Sequence, residues 1–265
     1  MKARFPSDGA LAWSLSVLGL LLAGCATAPE ELPSAPGEAA ATMSNPWAST
    51  SATPADGLQV RSPWNHFKLP GKAPTQFTYT RQDGRDVMAV LSAASASMMR
   101  REVRVAPADL HAVRFSWKVP ALIAGADMTQ RELDDSPVRV VLAFEGDRSK
   151  FSPRNAMLSE LSRALTGEEM PYATLMYVWA NEGDADRVIV NPRTDRIRKL
   201  VVESGSANLG RWRDYERDVR ADFERAFGEP PGALVGIGIM TDSDNTRGQT
   251  SAWYGPVKVL TNARP

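Results

Sequence analysis

Apolar and polar residues alternate with a period of two through much of the chain beyond residue 57. The clearest case is 113–119, where apolar side chains occupy every second position and basic or hydroxyl side chains lie between them. A weaker alternation at 76–82 is followed by Asp83 and Gly84, a dipeptide typical of tight hairpin turns. Further runs of strand length occupy 87–91, 102–105, 138–144, 175–180, 187–190, 197–202, 233–240 and 252–260.

These runs amount to about ten strands with no regular helices between them. Parallel neighbours need long crossover connections, usually helices, so the spacing argues against a doubly wound α/β fold. The pattern predicts an all-β domain with two helical insertions, built as an antiparallel β-sandwich of jelly-roll type. At the level of the fold, this architecture is similar to that of carbohydrate-binding modules, although such folds carry many functions.

The first helical insertion has clear signals at both ends. Ser152 is a suitable N-cap, Pro153 suits the first helical position, and Gly167 suits a helix stop. Apolar side chains recur between them at helical spacing, at Met157, Leu158, Leu161 and Leu165.

The second predicted helix spans 212–227 and ends at Gly228. Its aromatic and apolar residues recur every three or four positions, which predicts a stripe that covers an open end of the sandwich. The same spacing predicts ion pairs from Glu216 to Arg220 and from Asp222 to Arg225.

The N-terminus has the features of an export signal. A basic start precedes an apolar run over 10–22, and Ala23 and Gly24 come directly before Cys25. This arrangement resembles the lipobox of bacterial lipoproteins, in which 1–24 is removed and the cysteine thiol is joined to diacylglycerol. The resemblance implies lipidation at Cys25, and Ala26 in place of aspartate implies anchoring at the outer membrane, with the domain facing the periplasm.

Composition divides the remainder in two. Residues 25–57 consist mainly of Ala, Pro, Ser, Thr, Glu and Gly, which predicts a disordered linker between the lipid and the domain. Residues 58–263 carry the strand-like runs and form the predicted sandwich domain.

Charge and cysteine content exclude several classes of function. The 31 basic and 31 acidic side chains balance, so no electrostatic signature of nucleic-acid binding is present. A mean hydropathy of -0.28 excludes a polytopic membrane protein. A single cysteine excludes an internal disulfide framework, and beside only two histidines it makes a Cys/His zinc site a poor interpretation.

An acidic loop precedes one of the predicted strands. Asp134 and Asp135 lie in it, and Arg139 follows within the strand. Neighbouring carboxylates on a loop at the end of a strand could bind a cation or sugar hydroxyls, or act as an acid and base pair. The alternative is structural, with one aspartate paired to Arg139 or capping the strand.

A second oxygen-rich loop follows the run at 233–240. Asp242, Asp244 and Asn245 are candidate ligands there, and the two aspartates are candidate calcium ligands. The loop departs from the helix-loop-helix calcium pattern at Arg247 and Trp253. Asp and Asn are equally typical of a tight turn between strands, so both interpretations stay open. No other cofactor is indicated.

Aromatic residues in strands are candidate platforms for sugar rings. Four such residues are Tyr177, Trp179, Trp253 and Tyr254, of which Trp179 and Tyr254 are the candidate ligand-binding residues. The alternative is that they belong to the core, as strand aromatics commonly do.

The sequence contains no nucleophile elbow, zinc-protease helix or phosphate-binding loop. Five parts of the chain carry a resemblance to known proteins: 115–119, 131–135, 177–180, 204–205 with Trp212, and 240–246. Together they resemble a family of exported bacterial proteins known only as a domain of unknown function (DUF3047-like). The resemblance implies a common fold over about 60–262 and no established activity.

Three hypotheses of function follow. The first is a cell-envelope lipoprotein whose domain binds a glycan or another envelope ligand without catalysis. The second is a lipoprotein that binds another envelope protein in an assembly, which predicts a broad exposed apolar patch. The third, a carboxylate-dependent glycosidase, needs two carboxyl groups about 5 to 10 Å apart in a cleft and is the least favoured.

Overall fold

The computed structural model describes Trp47 and residues 59–262. The predicted signal peptide, Cys25 and all of the predicted linker except Trp47 lie outside the described residues. None of the helices in the described residues has the length and hydrophobicity of a transmembrane segment.

Within the described residues, fourteen strands form two sheets that pack face to face. The eight-stranded sheet has the order β1-β5-β12-β7-β8-β10-β9, with β2 also paired to β5. Its strands are β1 (Gln59–Val60), β2 (Asn65–Lys68), β5 (Ala96–Val105), β7 (Ser136–Phe144), β8 (Ala173–Ala180), β9 (Val188–Val190), β10 (Ile197–Ser204) and β12 (Leu234–Asp242).

The six-stranded sheet has the order β11-β6-β13-β4-β3, with β14 also paired to β6. Its strands are β3 (Gln76–Gln82), β4 (Arg85–Ala93), β6 (Leu110–Lys118), β11 (Trp212–Asp218), β13 (Gln249–Tyr254) and β14 (Lys258–Thr261). The predicted sandwich is therefore confirmed. All pairs are antiparallel except β8 with β10, which run parallel.

Local signals predicted the hairpin and the first helix well. Asp83 and Gly84 form the turn between β3 and β4, both at positive φ. Helix α1 spans Pro153–Thr166, the Ser152 side chain accepts a hydrogen bond from the Asn155 amide, and Gly167 ends the helix in the left-handed conformation. A 3₁₀ turn, Arg148–Lys150, lies just before it.

The predicted helix over 212–227 is wrong in its first half. Trp212–Asp218 is strand β11, and helix α2 covers only Val219–Phe227. In β11 the acidic residues alternate outward with a period of two, and Asp218 caps α2 by accepting from the Ala221 amide. The aromatic spacing of three and four concealed this alternation. The predicted helical ion pairs are also absent here, since Glu216 pairs with Arg114 and Asp222 with Arg217.

Another difference lies near the C-terminus, where the run at 252–260 is two strands, β13 and β14. Gly255 separates them, and a side chain there would collide with Ser116. The short strands β1 and β2 lack a clear alternation in the sequence.

The main core lies between the two sheets. Alternate residues of β7 and β8 point inward, and Phe115 of the six-stranded sheet stacks on Tyr177 of the eight-stranded sheet with ring centroids 5.4 Å apart. Helix α2 adds Phe223, which packs on Phe144. Trp47, within the predicted linker, is buried against Trp64.

The opposite face of the eight-stranded sheet, called the outer face below, is covered in part. A second apolar cluster there joins Met128, from the loop before β7, to Val178 and Val201. Because chain covers this face, β8 is buried on both sides.

Candidate functional site

The two acidic loops predicted from the sequence meet at one end of the sandwich. β7 and β12 are antiparallel neighbours, and Ser136 at the start of β7 pairs with Asp242 at the end of β12. The loop before β7 and the loop after β12 therefore lie side by side. A hydrogen bond joins the two loops, since the side-chain amide of Asn245 donates to the Asp134 carbonyl at 3.0 Å.

Four charged side chains form a buried ion cluster beneath these loops: Asp134, Arg139, Lys199 and Asp242. Arg139 donates from Nε and Nη2 to the two carboxylate oxygens of Asp242, both at 2.9 Å, and from Nη2 to Asp134 Oδ1 at 3.1 Å. Lys199 Nζ donates to Asp134 Oδ1 at 2.6 Å and to the Met128 carbonyl at 3.0 Å. The cluster thus fastens the loop before β7 to the outer face of the sheet.

Burial and mutual attraction shift the pKa values in this cluster. Burial opposes ionisation of Asp134, but Arg139 and Lys199 outweigh it and hold its pKa below the usual value. Burial, and then repulsion from Arg139, lowers the pKa of Lys199 to about 8. Burial raises the pKa of Asp242 to about 6 against the opposing pull of Arg139.

Asp135 holds the second loop through its carboxylate. One oxygen accepts from the amide and the side chain of Asn245, both at 3.1 Å, and the other accepts from the amide and hydroxyl of Thr246, both at 2.7 Å. Because each oxygen of this buried carboxylate already accepts two hydrogen bonds, Asp135 has little capacity to bind a further ligand.

The residues that could hold a cation are Asp135, Asp242 and Asp244, whose ligand atoms lie within 4.8 Å of one another. Each of these carboxylates already has protein donors. Arg139 occupies Asp242, and Lys72 forms an ion pair with Asp244. The donor set suits calcium in its chemistry, but a cation would have to displace Lys72 or share oxygens with these donors.

A polar cavity of about 390 Å³ opens beside Asp135 and is called the loop-end cleft below. Ala180 and Asn181 at the end of β8 form one wall, and the loop 125–133 forms another. Its polar side chains come from Asp127, Thr129, Gln130, Asp135, Asn181, Glu182 and Arg187. Hydrogen bonds from Thr129 and Gln130 lower the pKa of Asp127.

Trp179 and Tyr254 do not lie in this cleft. Both side chains are fully buried, as is Tyr177. Trp179 Nε1 donates to the Gly205 carbonyl at 3.0 Å, and the Tyr254 hydroxyl donates to the Met240 carbonyl at 2.6 Å. These rings therefore pack in the core and offer no face to a sugar, because the strand positions that carry them point between the sheets.

A larger cavity of about 480 Å³ crosses the outer face of the eight-stranded sheet and is called the sheet groove below. Sequence reasoning missed it, because its residues come from several separate segments. Its floor is formed by β12, β7 and β8, and its rims carry Arg100, Arg104 and Glu168. The available signal was the pair Arg100 and Arg104, which lie on the same face of β5.

Comparison with known proteins gives a family and a distant structural likeness. No curated protein matches the chain. Among solved structures, the chain is similar to the xyloglucanase domain of NopAA, a type three effector from Sinorhizobium fredii in complex with cellobiose. The TM-score is 0.39 at 11% identity, over 82% of this chain and 98% of that chain.

The model of a protein family, described as protein of unknown function (DUF3047), matches residues 62–258 of this chain. This range includes both acidic loops, the buried ion cluster and nearly all strands of both sheets. The chain therefore belongs to the DUF3047 family.

Proposed function

We propose that the domain binds a hydroxyl-rich ligand of the glycan class in the loop-end cleft, without catalysis. In this proposal the protein is an exported lipoprotein anchored to the outer membrane through Cys25, and the cleft faces envelope material. The partner is a glycan and not a nucleic acid, since the balanced charge offers no basic surface.

One observation carries this proposal: the loop before β7 and the segment after β8, distant in the sequence, form two walls of a polar cavity. The buried ion cluster and Asp135 hold the loop before β7, and the Asn181 side chain after β8 donates to the Ile123 carbonyl at 2.7 Å, so the cleft is formed before any ligand arrives. Preformed cavities with a few convergent polar groups are typical of small-molecule sites. The cleft carries amide, hydroxyl, carboxylate and guanidinium groups, which together can donate to and accept from sugar hydroxyls.

The chemistry of the cleft favours binding over hydrolysis. A glycosidase needs a general acid whose pKa is raised. Asp127 has a lowered pKa, and the Asp135 oxygens accept hydrogen bonds from Asn245 and Thr246. Neither carboxylate is arranged to donate a proton.

The experiment is titration calorimetry of the purified full chain against neutral oligosaccharides, one at a time. Glu182→Gln and Arg187→Gln change side chains at the mouth of the cleft, and Glu160→Gln on α1 is the matched control. We expect a ligand whose affinity falls about tenfold or more in each cleft variant and is unchanged in the control. No binding by the wild type, or equal loss in the control, would overturn the proposal.

Calcium is a separate part of this proposal. We expect that calcium, if bound, raises the melting temperature of the wild type and not of Asp244→Asn, because Asp244 is the least buried candidate ligand. Thermal unfolding with calcium chloride or with a chelator measures this directly. Equal melting temperatures in both media would remove calcium from the proposal.

A second candidate function, assembly with an envelope protein, is favoured by one observation. Helix α1 turns its apolar residues outward, since the exposed fractions are 64% for Met157, 52% for Leu161 and 60% for Leu165, while Asn155 and Ser159 are buried. Such a stripe is typical of a surface covered by a partner. Crosslinking in whole cells from position 161 would test it, with position 160 as the control.

A further inference from the structure

The sheet groove has a floor of small and apolar groups. Gly236 and Gly238 of β12 present no side chain to it, and Val141 and Ala143 of β7 lie beside them. A Cβ at Gly238 would already lie 3.6 Å from that of Val141. A flat ring can therefore lie directly on the strand backbone, since glycine permits close approach.

Arg100 and Arg104 on β5 line one rim, and each donates to a carboxylate from Nη1 and Nη2 of its guanidinium group. Arg100 holds Glu168 at 2.8 and 2.5 Å, and Arg104 holds Glu145 at 2.7 and 3.0 Å. The guanidinium of Arg100 also lies 3.8 Å from the ring centre of Phe67, which fixes its plane. The rim thus presents two oriented forks for carboxylates.

These glutamates are replaceable. The side chains of Glu168 and Glu145 are 51% and 48% exposed, so both pairs lie in contact with water. Exposed pairs add little to stability, so a carboxylate from a ligand can take the place of either glutamate at small cost.

The strands beneath the groove cannot bind a peptide by adding it as a further strand. β5, β12 and β7 each have a neighbour on both sides, so their backbone groups are already used in the sheet. A peptide that adds as a strand needs a free edge. A sugar ring needs none, because it packs its C–H face on apolar groups and uses polar substituents at its rim.

We propose that the sheet groove binds an extended polysaccharide that carries carboxylates, with Arg100 and Arg104 each receiving one ligand carboxylate in place of a glutamate. The two arginines are four residues apart on one strand, so the carboxylates they receive lie about 13 Å apart. This site is distinct from the loop-end cleft, and the two proposals fail or succeed separately.

The test uses polygalacturonate and its methyl-esterified form, which share a backbone and differ in charge. Affinity is measured by biolayer interferometry on the full chain. The double variant Arg100→Gln/Arg104→Gln removes both forks, and Gly236→Val places a side chain on the floor, where its Cβ has only ordinary contacts. Arg114→Gln, on an exposed pair of the six-stranded sheet, is the matched control.

We expect the wild type to bind polygalacturonate and to bind the ester at least about tenfold more weakly. Both groove variants should lose at least about tenfold in affinity with their melting temperatures maintained, while the control and the cleft variant Glu182→Gln retain binding. Absence of wild-type binding, equal binding of the ester, equal loss in Arg114→Gln, or equal binding of poly-L-glutamate would overturn the proposal.

Discussion

The buried ion cluster and the rim of the sheet groove use the same chemistry in opposite settings. In the cluster, Arg139 is 3% exposed and its carboxylate partners are 7% exposed, whereas Arg104 in the rim is 39% exposed and Glu145 is 48% exposed. Both arginines make short hydrogen bonds to carboxylates. Only the rim pair can exchange its partner for a ligand, because water surrounds it.

The physical reason lies in desolvation. Once folded, the cluster cannot lose one member without leaving an uncompensated charge in an apolar setting, which is strongly unfavourable. An exposed pair loses little when broken, since water replaces the partner. The cluster is therefore suited to holding the loops, and the exposed pairs of the rim are suited to binding a ligand.

The largest effect is expected from breaking the cluster. Arg139→Leu leaves Asp134 and Asp242 buried without their main cation, so the free energy of unfolding should fall by about 3 to 5 kcal/mol. Urea unfolding followed by tryptophan fluorescence measures it. The exposed control Arg114→Leu should lose less than about 1 kcal/mol. Equal losses would show that burial does not separate the two kinds of pair.

The next effect is the pH dependence that Lys199 contributes. The pKa of Lys199 is about 8 in the folded protein, below its ordinary value of 10.5. Between these values the unfolded chain holds more protons at this group, so its contribution to stability rises with pH. From pH 8 to 10 the contribution should reach about 2 kcal/mol, measured as the difference between the wild type and Lys199→Met, because buried tyrosines with raised pKa values lower stability in both. Lys199→Met should abolish it in unfolding curves taken across this range, and an identical pH dependence in the variant would contradict the assignment.

A smaller loss of unfolding free energy is expected at Asp135, whose carboxylate holds a loop through neutral donors and not through a cation. Asp135→Asn places an amide against the donors of Thr246, leaving at least one partly buried donor unsatisfied, so the free energy of unfolding should fall by about 1 to 2 kcal/mol. Hydrogen exchange at the Thr246 amide reports the local release. Unchanged exchange would mean that Asp135 does not hold this loop.

The smallest effect should come from the rim. Arg104→Gln should change the free energy of unfolding by less than about 1 kcal/mol, because its partner Glu145 becomes solvated. Thermal unfolding measures the change. A loss comparable with that of Arg139→Leu would break the comparison and make the rim a structural element.

Much of the secondary structure could be predicted from local signals. The turn at Asp83 and Gly84 and the ends of α1 depend on the conformational preferences of a few adjacent residues. β11 could not be predicted, because aromatic residues spaced for a helix also fit a strand whose other face carries acids. Helix α1 was a different case, since its bounds were correct but its apolar face is exposed.

Local sequence signals could not predict contacts between residues that are far apart in the sequence. The sequence identified candidate residues in two separate regions and did not predict that these regions are in contact. The residues are Asp134, Asp135 and Arg139 in the first region and Asp242, Asp244 and Asn245 in the second. Lys199 was missed, since a lysine within a strand is usually a solvent-facing residue. Trp179 and Tyr254 were candidates for a ligand site, and the packing of the sheets places them in the core.

The sequence by itself determined the strand-rich class, the hairpin, the caps of α1 and the polar character of both loops, because these follow from residue type and short-range spacing. Only the tertiary structure decided that the loops meet, that Lys199 completes a buried cluster, and that arginines of β5 face a groove floored by glycines. Those features depend on sheet order and register, which bring together residues about a hundred positions apart and set which charges water can reach.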